Sequence, residues 1–332
     1  MKPNHVYRHL LAVCVIAAVA AAMAPLAVAQ EPRVVVYSSA GAEIGEELAS
    51  AFMKKNPAIK VESIYAGTGV IWTRVRAELA RPQGDVCMCG GSENFDINYD
   101  LVEPYKSRID AEIPAEFKDA KGPRYYGMSL PIQVIIVNSK LVQRGDFPRG
   151  WKDLANPKWK GKIIWANPRL SASAYAQLFQ LVKIGGWDLV KGVLANAVIT
   201  PSSGLAYQGV ADGEFLLGMT GEGNVYDLRT KGYPVDVIYP VEGTGLRFDA
   251  TGLIKGGPNP RSGRLFFDFA NSRDAHQIYV RVGSRRSVRP DVPTPMGMPP
   301  TSKINLVAYD AVKAGKDRGI NLIIFDEMLA KK

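Results

Sequence analysis

Within the first hundred residues, a short apolar run gives way three times to a glycine- or serine-rich turn and then to an amphipathic pattern. Val34–Tyr37 leads into Ser38-Ser39-Ala40-Gly41, followed by Ile44, Leu48, Ala51 and Phe52 at helical spacing. Lys60–Tyr65 leads into Gly67-Thr68-Gly69, then Val70, Ile71, Val75 and Leu79. Asp85–Cys89 leads into Gly90-Gly91-Ser92-Glu93. Repeated strand–turn–helix units predict an α/β fold built on a mostly parallel sheet with helices on both faces. Ligands of such sheets gather at the carboxyl ends of the strands, which is where these turns lie. Neither a GxGxxG nor a GxxxxGK[ST] pattern falls on any of the turns, which argues against nucleotides.

The same device returns further on. Ile163–Trp165 precedes Asn167-Pro168-Arg169-Leu170-Ser171-Ala172-Ser173, and an almost wholly apolar Ala174–Ile184 reads as a buried helix. In Thr200–Glu214, Pro201 ends a β-branched run and Ser202 or Ser203 supplies the N-cap. Leu205, Ala206, Val210 and Ala211 recur at helical spacing, and Gly213 closes the helix. Leu216–Thr220 forms a strand ending in Gly221-Glu222-Gly223-Asn224, with Tyr226 just beyond. A helix that starts on hydroxyls presents unpaired N–H groups and a partial positive charge, which suits an anion. The β-rich run Leu130–Asn138, entered through Pro131, predicts a crossing into a second lobe. Returns are expected near Asp249 and near Pro295.

Residues 1–29 carry a leader pattern: Lys2 and Arg8, an apolar Leu10–Met23, and Ala27-Val28-Ala29 before Gln30. Cleavage there predicts an exported protein and leaves Cys87 and Cys89, which flank Met88 and point to one face of a strand. A disulfide or two buried thiols would fit; a chain of this size needs no disulfide framework, which favours thiols. It also leaves His276 as the one histidine, read as a surface position on a helix. With no general base beside the serine turns, an enzyme is not expected. The +9 formal charge is scattered and lacks an aromatic–basic stripe, so no nucleic acid is expected; it suits anionic small molecules instead.

Several motifs, taken in order, resemble one family. They are Trp151-x-x-Leu154, Pro157-Lys158-Trp159-Lys160-Gly161-Lys162-Ile163, Ala211-Asp212-Gly213-Glu214, Tyr239-Pro240-x-Glu242-Gly243 and Arg286-x-Val288-Arg289-Pro290-Asp291-Val292. The chain is similar to the periplasmic solute-binding proteins of ABC importers, in the branch of ferric-ion-binding and phosphonate-binding proteins. The resemblance implies a two-lobed type II binding-protein fold with hinge crossover strands. One lobe is expected over residues 30–129 with 250–293, the other over 130–249 with 294–332. It also implies a periplasmic location and delivery to an inner-membrane ABC permease; a membrane sensor would use the same closed surface.

In ferric-binding relatives a histidine, a glutamate and a tyrosine pair hold the metal. Those positions fall here at Gly41, Gly90 and Glu222-Gly223, so a direct metal cage is not expected and no cofactor is called for. The expected ligand is a small anionic solute: a phosphonate, an organophosphate or a carboxylate; the alternative is ferric iron, chiefly as a chelate that carries its own ligands, for iron uptake. Ser171, Ser173, Ser202 and Ser203 would hold its acid group, and Ser38, Ser39, Thr68, Gly69 and Ser92 would face it. Glu222 would pair a ligand ammonium, Tyr226 lies nearby, and Arg247 or Arg74 would serve if a base is used. A monomer is expected, since no long apolar stripe is exposed.

Overall fold

A computed structural model describes residues 32–332; the leader pattern lies outside the described residues. The first sheet has the order β2-β1-β3-β12-β4, with β5 also paired to β12. Here β1 is Arg33–Ser38, β2 Lys60–Tyr65, β3 Val86–Met88, β4 Val102–Glu103, β5 Tyr125–Ser129 and β12 Asp249–Ile254. The second sheet has the order β10-β6-β9-β7-β8, formed by β6 Gln133–Asn138, β7 Ile163–Ala166, β8 Ala197–Thr200, β9 Leu217–Gly221 and β10 Val235–Ile238. A small third sheet pairs β11 (Thr244–Leu246) with β13 (Leu306–Ala308).

Both large sheets are mixed. β1 is parallel to β2 and β3, and β7 is parallel to β8 and β9, as the strand–turn–helix units require. Antiparallel pairing enters with the strands that cross between lobes: β12 runs against β3, β4 and β5, and β6 runs against β9 and β10. A crossing strand enters at the cleft and runs away from it, opposite to strands whose carboxyl ends line the cleft, so its direction is set by the connection and not by a βαβ unit.

Alternation along β1 shows why the first sheet is covered on both faces. Val34 and Val36 join Leu48, Phe52 and Phe266 in one cluster; Val35 and Tyr37 join Ile71, Trp72 and Phe95 in the other. The helices involved are α1 (Ala42–Lys55), α2 (Thr68–Ala77), α3 (Ser92–Ile97), α7 (Pro260–Ala270) and α8 (Arg273–Gly283). Around the second sheet lie α4 (Ala172–Asn196, broken at Gly185–Gly186), α5 (Ser203–Ala211) and α6 (Glu222–Thr230). The last helix, α9 (Ala311–Ala330), packs on α3 as well as α4, and so touches both halves.

Two expectations are corrected here. Cys87 and Cys89 are joined by a disulfide. Their side chains share a face with Cα atoms 5.4 Å apart, within disulfide reach, so chain size was the wrong criterion for a pair that the strand already apposes. His276 is not on the surface but fully buried, with Nδ1 2.7 Å from Ser287 Oγ and its ring edge-on to Tyr279. The helix turns that face inward because Ser287 and the Arg289 loop cover it.

Burial, with Arg289 nearby, lowers the His276 pKa from 6.5 to about 3. The folded pKa lies below the unfolded one, so between these values the unfolded chain binds a proton that the folded chain refuses. Stability therefore falls as pH falls. From pH 7 to pH 5 the wild-type protein is expected to lose about 2 kcal/mol more than His276→Gln, read from urea midpoints. Parallel losses in the two proteins would count against it.

Candidate functional site

The carboxyl ends of β1, β2 and β3 face those of β7, β8 and β9 across a cleft that encloses about 540 Å³. Five helices begin at its lining: α1 and α2 from the first half, and α4, α5 and α6 from the second. The N-caps of α1, α2 and α6 are Gly41, Gly67 and Gly221, none of which makes a side-chain capping bond. Those of α4 and α5 are serines. Ser171 Oγ accepts from Ala174 N at 3.2 Å, and Ser202 Oγ accepts from Gly204 N at 3.1 Å. A capping hydroxyl accepts through oxygen and keeps its own proton to donate into the cleft.

Of the residues singled out in the sequence, Ser38, Ser39, Thr68, Ser171, Ser173, Ser202, Ser203 and Glu222 line the cavity. Ser171 Oγ and Ser203 Oγ lie 2.5 Å apart, and on the opposite wall Thr68 Oγ1 donates to Ser39 Oγ at 3.1 Å. Gly69, Ser92 and Tyr226 are not in the lining. Gly69 N donates to Leu170 O at 3.3 Å, so it closes the rim instead of facing inward. Ser92 is buried at the start of α3 and its N–H donates to Phe248 O. Tyr226 is buried beside Gly297, one turn into α6 and past the cleft.

Glu222 lines the cavity with its charge already matched. Arg286 Nε and Nη2 donate to its two oxygens at 2.5 and 3.1 Å, and Tyr239 Oη donates at 2.5 Å. The expected ammonium partner is thus an internal ion pair. Burial and the Glu222 charge together drive the Tyr239 pKa upward, which keeps that phenol a donor. Arg74 lies outside, held by Glu78 and stacked on Tyr37.

The floor of the cleft is the hinge itself. Leu130 and Pro131, Arg247 and Asp249, and Arg285 and Arg286 come from the three crossing segments. Asp249 accepts from Arg247 Nη1 at 2.9 Å and from Arg285 Nη1 at 3.3 Å. The lining thus holds three arginines against two acids, with Glu93 close behind Arg247 as a third. Ser284, also in the lining, ends α8 in the left-handed region at φ 47°. Sequence reasoning missed Arg285, Asp249 and the cleft tyrosines Tyr65 and Tyr207. The signal for the first two was present, since Arg285-Arg286 is the densest basic group and Asp249 marks a crossing.

Two lobes built on mixed sheets, linked by crossing strands that floor a ligand-sized cleft, define a type II periplasmic binding protein. The chain belongs to the bacterial extracellular solute-binding proteins, whose family model matches residues 34–285. It is 29% identical over 305 residues to an uncharacterised protein of Haemophilus influenzae, covering 85% of this chain and 86% of that one. A putative 2-aminoethylphosphonate-binding periplasmic protein of Salmonella typhimurium is 25% identical, with 79% of this chain and 80% of that one covered. The periplasmic binding protein AfuA of Actinobacillus pleuropneumoniae, solved with fructose-6-phosphate bound, matches with a TM-score of 0.85 and 25% identity. That match covers 91% of this chain and 99% of AfuA. Solute-binding proteins of this family are the substrate-binding components of ABC importers, which deliver a solute to an inner-membrane permease.

Proposed function

We propose that this protein captures a small solute carrying a phosphonate or phosphate group, with the oxyanion held by Ser171, Ser173, Ser202, Ser203 and the amides around them. The observation that carries this reading is the convergence of five helix N-termini on one cleft whose floor carries three arginines. Hydroxyls and amides bind an oxyanion directionally without a fixed counter-charge on that wall, which keeps release to the permease fast. The rest of the ligand would lie over Arg247, Asp249 and Arg285. With Glu222 tied to Arg286, the reason to require a ligand ammonium disappears. The roughly 540 Å³ cavity also suits an organophosphate larger than a two-carbon phosphonate. The likeness to a protein named as a putative 2-aminoethylphosphonate-binding protein, and to AfuA solved with fructose-6-phosphate bound, supports the phosphorus oxyanion. Closure of the two lobes would then follow ligand binding as a population shift.

The test is a thermal-shift panel of sugar phosphates, phosphonates, dicarboxylates and ferric chelates. A narrow phosphorylated group is expected to stabilise the protein by roughly 3–4 kcal/mol near saturation. Stabilisation by none of the anions, or by iron alone, would overturn the reading. With the ligand in hand, Ser203→Ala should weaken binding by about 1–3 kcal/mol through a lost charge-assisted hydrogen bond while leaving the fold intact. An unchanged dissociation constant removes Ser203 from the site.

A further inference from the structure

Behind Arg247, away from the helix termini of the cleft, several buried polar groups meet without partners. Glu93, at the start of α3, lies 3.7 Å from Arg247, and both side chains are about 1% exposed or less. Gly315 of α9 rests on Glu93, and Arg318, one turn on, is near enough to act electrostatically on that acid while its Nη2 donates to Pro168 O at 3.5 Å. Arg318 stacks on Tyr175 at 4.3 Å. Tyr309 packs on Gly245, whose N–H donates to Gln180 Oε1 at 2.9 Å, so the amide end of Gln180 lies in the same neighbourhood. Glu93, Arg247 and Arg318 all act electrostatically on the Tyr309 hydroxyl.

The unpartnered atoms are Arg247 Nε and Nη2, Arg318 Nη1, Gln180 Nε2, Tyr309 Oη and Glu93 Oε2. All but one are donors or able to donate. A buried donor left unpaired costs about 1–3 kcal/mol, more when charged, so an excess of donors calls for an acceptor. Two arginines stand here against Glu93, while Asp249 is already shared by Arg247 and Arg285. Of these groups only Arg247 and Asp249 reach the cleft lining, so the solute does not fill the space behind.

We infer that the junction of α3, α4, α9 and the β11–β12 crossing binds a small monovalent inorganic anion of halide size between Arg247, Arg318, Gln180 and Tyr309. One charge and several accepting directions match the donors. Because α9 touches both halves and Arg247 lies in the crossing between β11 and β12, the anion braces the hinge. It is a fixed structural ligand, separate from the transported solute.

The purified protein is melted in sodium bromide or chloride and, at equal ionic strength, in sodium gluconate, whose anion cannot enter. Halide alone should give a saturable rise of about 3–5 °C. Arg318→Met should abolish that rise, and Tyr309→Phe, which removes one hydroxyl and little packing, should shift its midpoint to higher halide. Crystals grown in bromide should show an anomalous peak within hydrogen-bond reach of Arg247 and Arg318. Equal melting curves in gluconate and halide would overturn the inference, as would anomalous peaks confined to exposed side chains. If the hinge peak appears while the cleft binds no anion, only the proposed solute falls.

Discussion

Arg247→Met is expected to cost about 3–5 kcal/mol of unfolding free energy, although methionine fills much of the same volume. Arg247 is 4% exposed and lies between Asp249 at 2.9 Å and Glu93 at 3.7 Å. Burial by itself would lower its pKa, but the two acids raise it, so the guanidinium is charged whenever the protein is folded. Removing it leaves the fully buried Glu93 without its nearest cation, and that uncompensated charge outweighs the attraction the pair supplied. Burial pushes the Glu93 pKa up, opposed by Arg247. Without the arginine Glu93 takes up a proton more readily, so the deficit should shrink toward acid pH. Glu93→Gln placed on top of Arg247→Met should recover part of the loss. Chemical denaturation of the single and double variants decides it. A loss below about 1 kcal/mol would mean that Arg247 is hydrated and that the pair is not structural.

Gly69→Val should weaken ligand affinity at least tenfold, about 1.4 kcal/mol or more, with little loss of stability in the ligand-free protein. Gly69 is the second residue of α2 and meets the opposite lobe at the rim. Any Cβ there would run into the backbone carbonyl of Arg169, and at neighbouring Gly67 a Cβ would lie 2.6 Å from Leu170 O. Both obstacles are main chain and cannot rotate away. The two halves would have to separate, breaking the Gly69–Leu170 hydrogen bond and loosening the Lys231–Glu43 ion pair across the same gap. The glycine is therefore needed for close approach of the lobes. Small-angle scattering with saturating ligand should show the variant more extended than wild type. Identical scattering and affinity would sink this account of closure.

Much of the architecture was legible in the chain. Val34–Tyr37, Lys60–Tyr65 and the runs at Ile163 and Leu216 are strands, because short β-branched or apolar runs closed by turn residues leave few alternatives. The serines at the starts of α4 and α5 were readable because capping is a local interaction between a residue and the two or three after it. Gly69 and Ser92 misled for the same reason. Their local pattern matches that of the lining residues, yet one makes the rim and the other is buried at the start of α3.

What the sequence determined by itself is what depends on neighbours along the chain: strand and helix positions, capping hydroxyls, and the turns that become a cleft. Only the tertiary structure decided the charges. Glu222 and Arg286 are 64 residues apart and read separately as a free acid and a basic cluster. Folding brings them together and cancels them, buries His276, and leaves Arg247 between two acids. Charge pairing depends on distance in space and on the exclusion of water. Neither quantity exists until the crossing strands have brought the two sheets together.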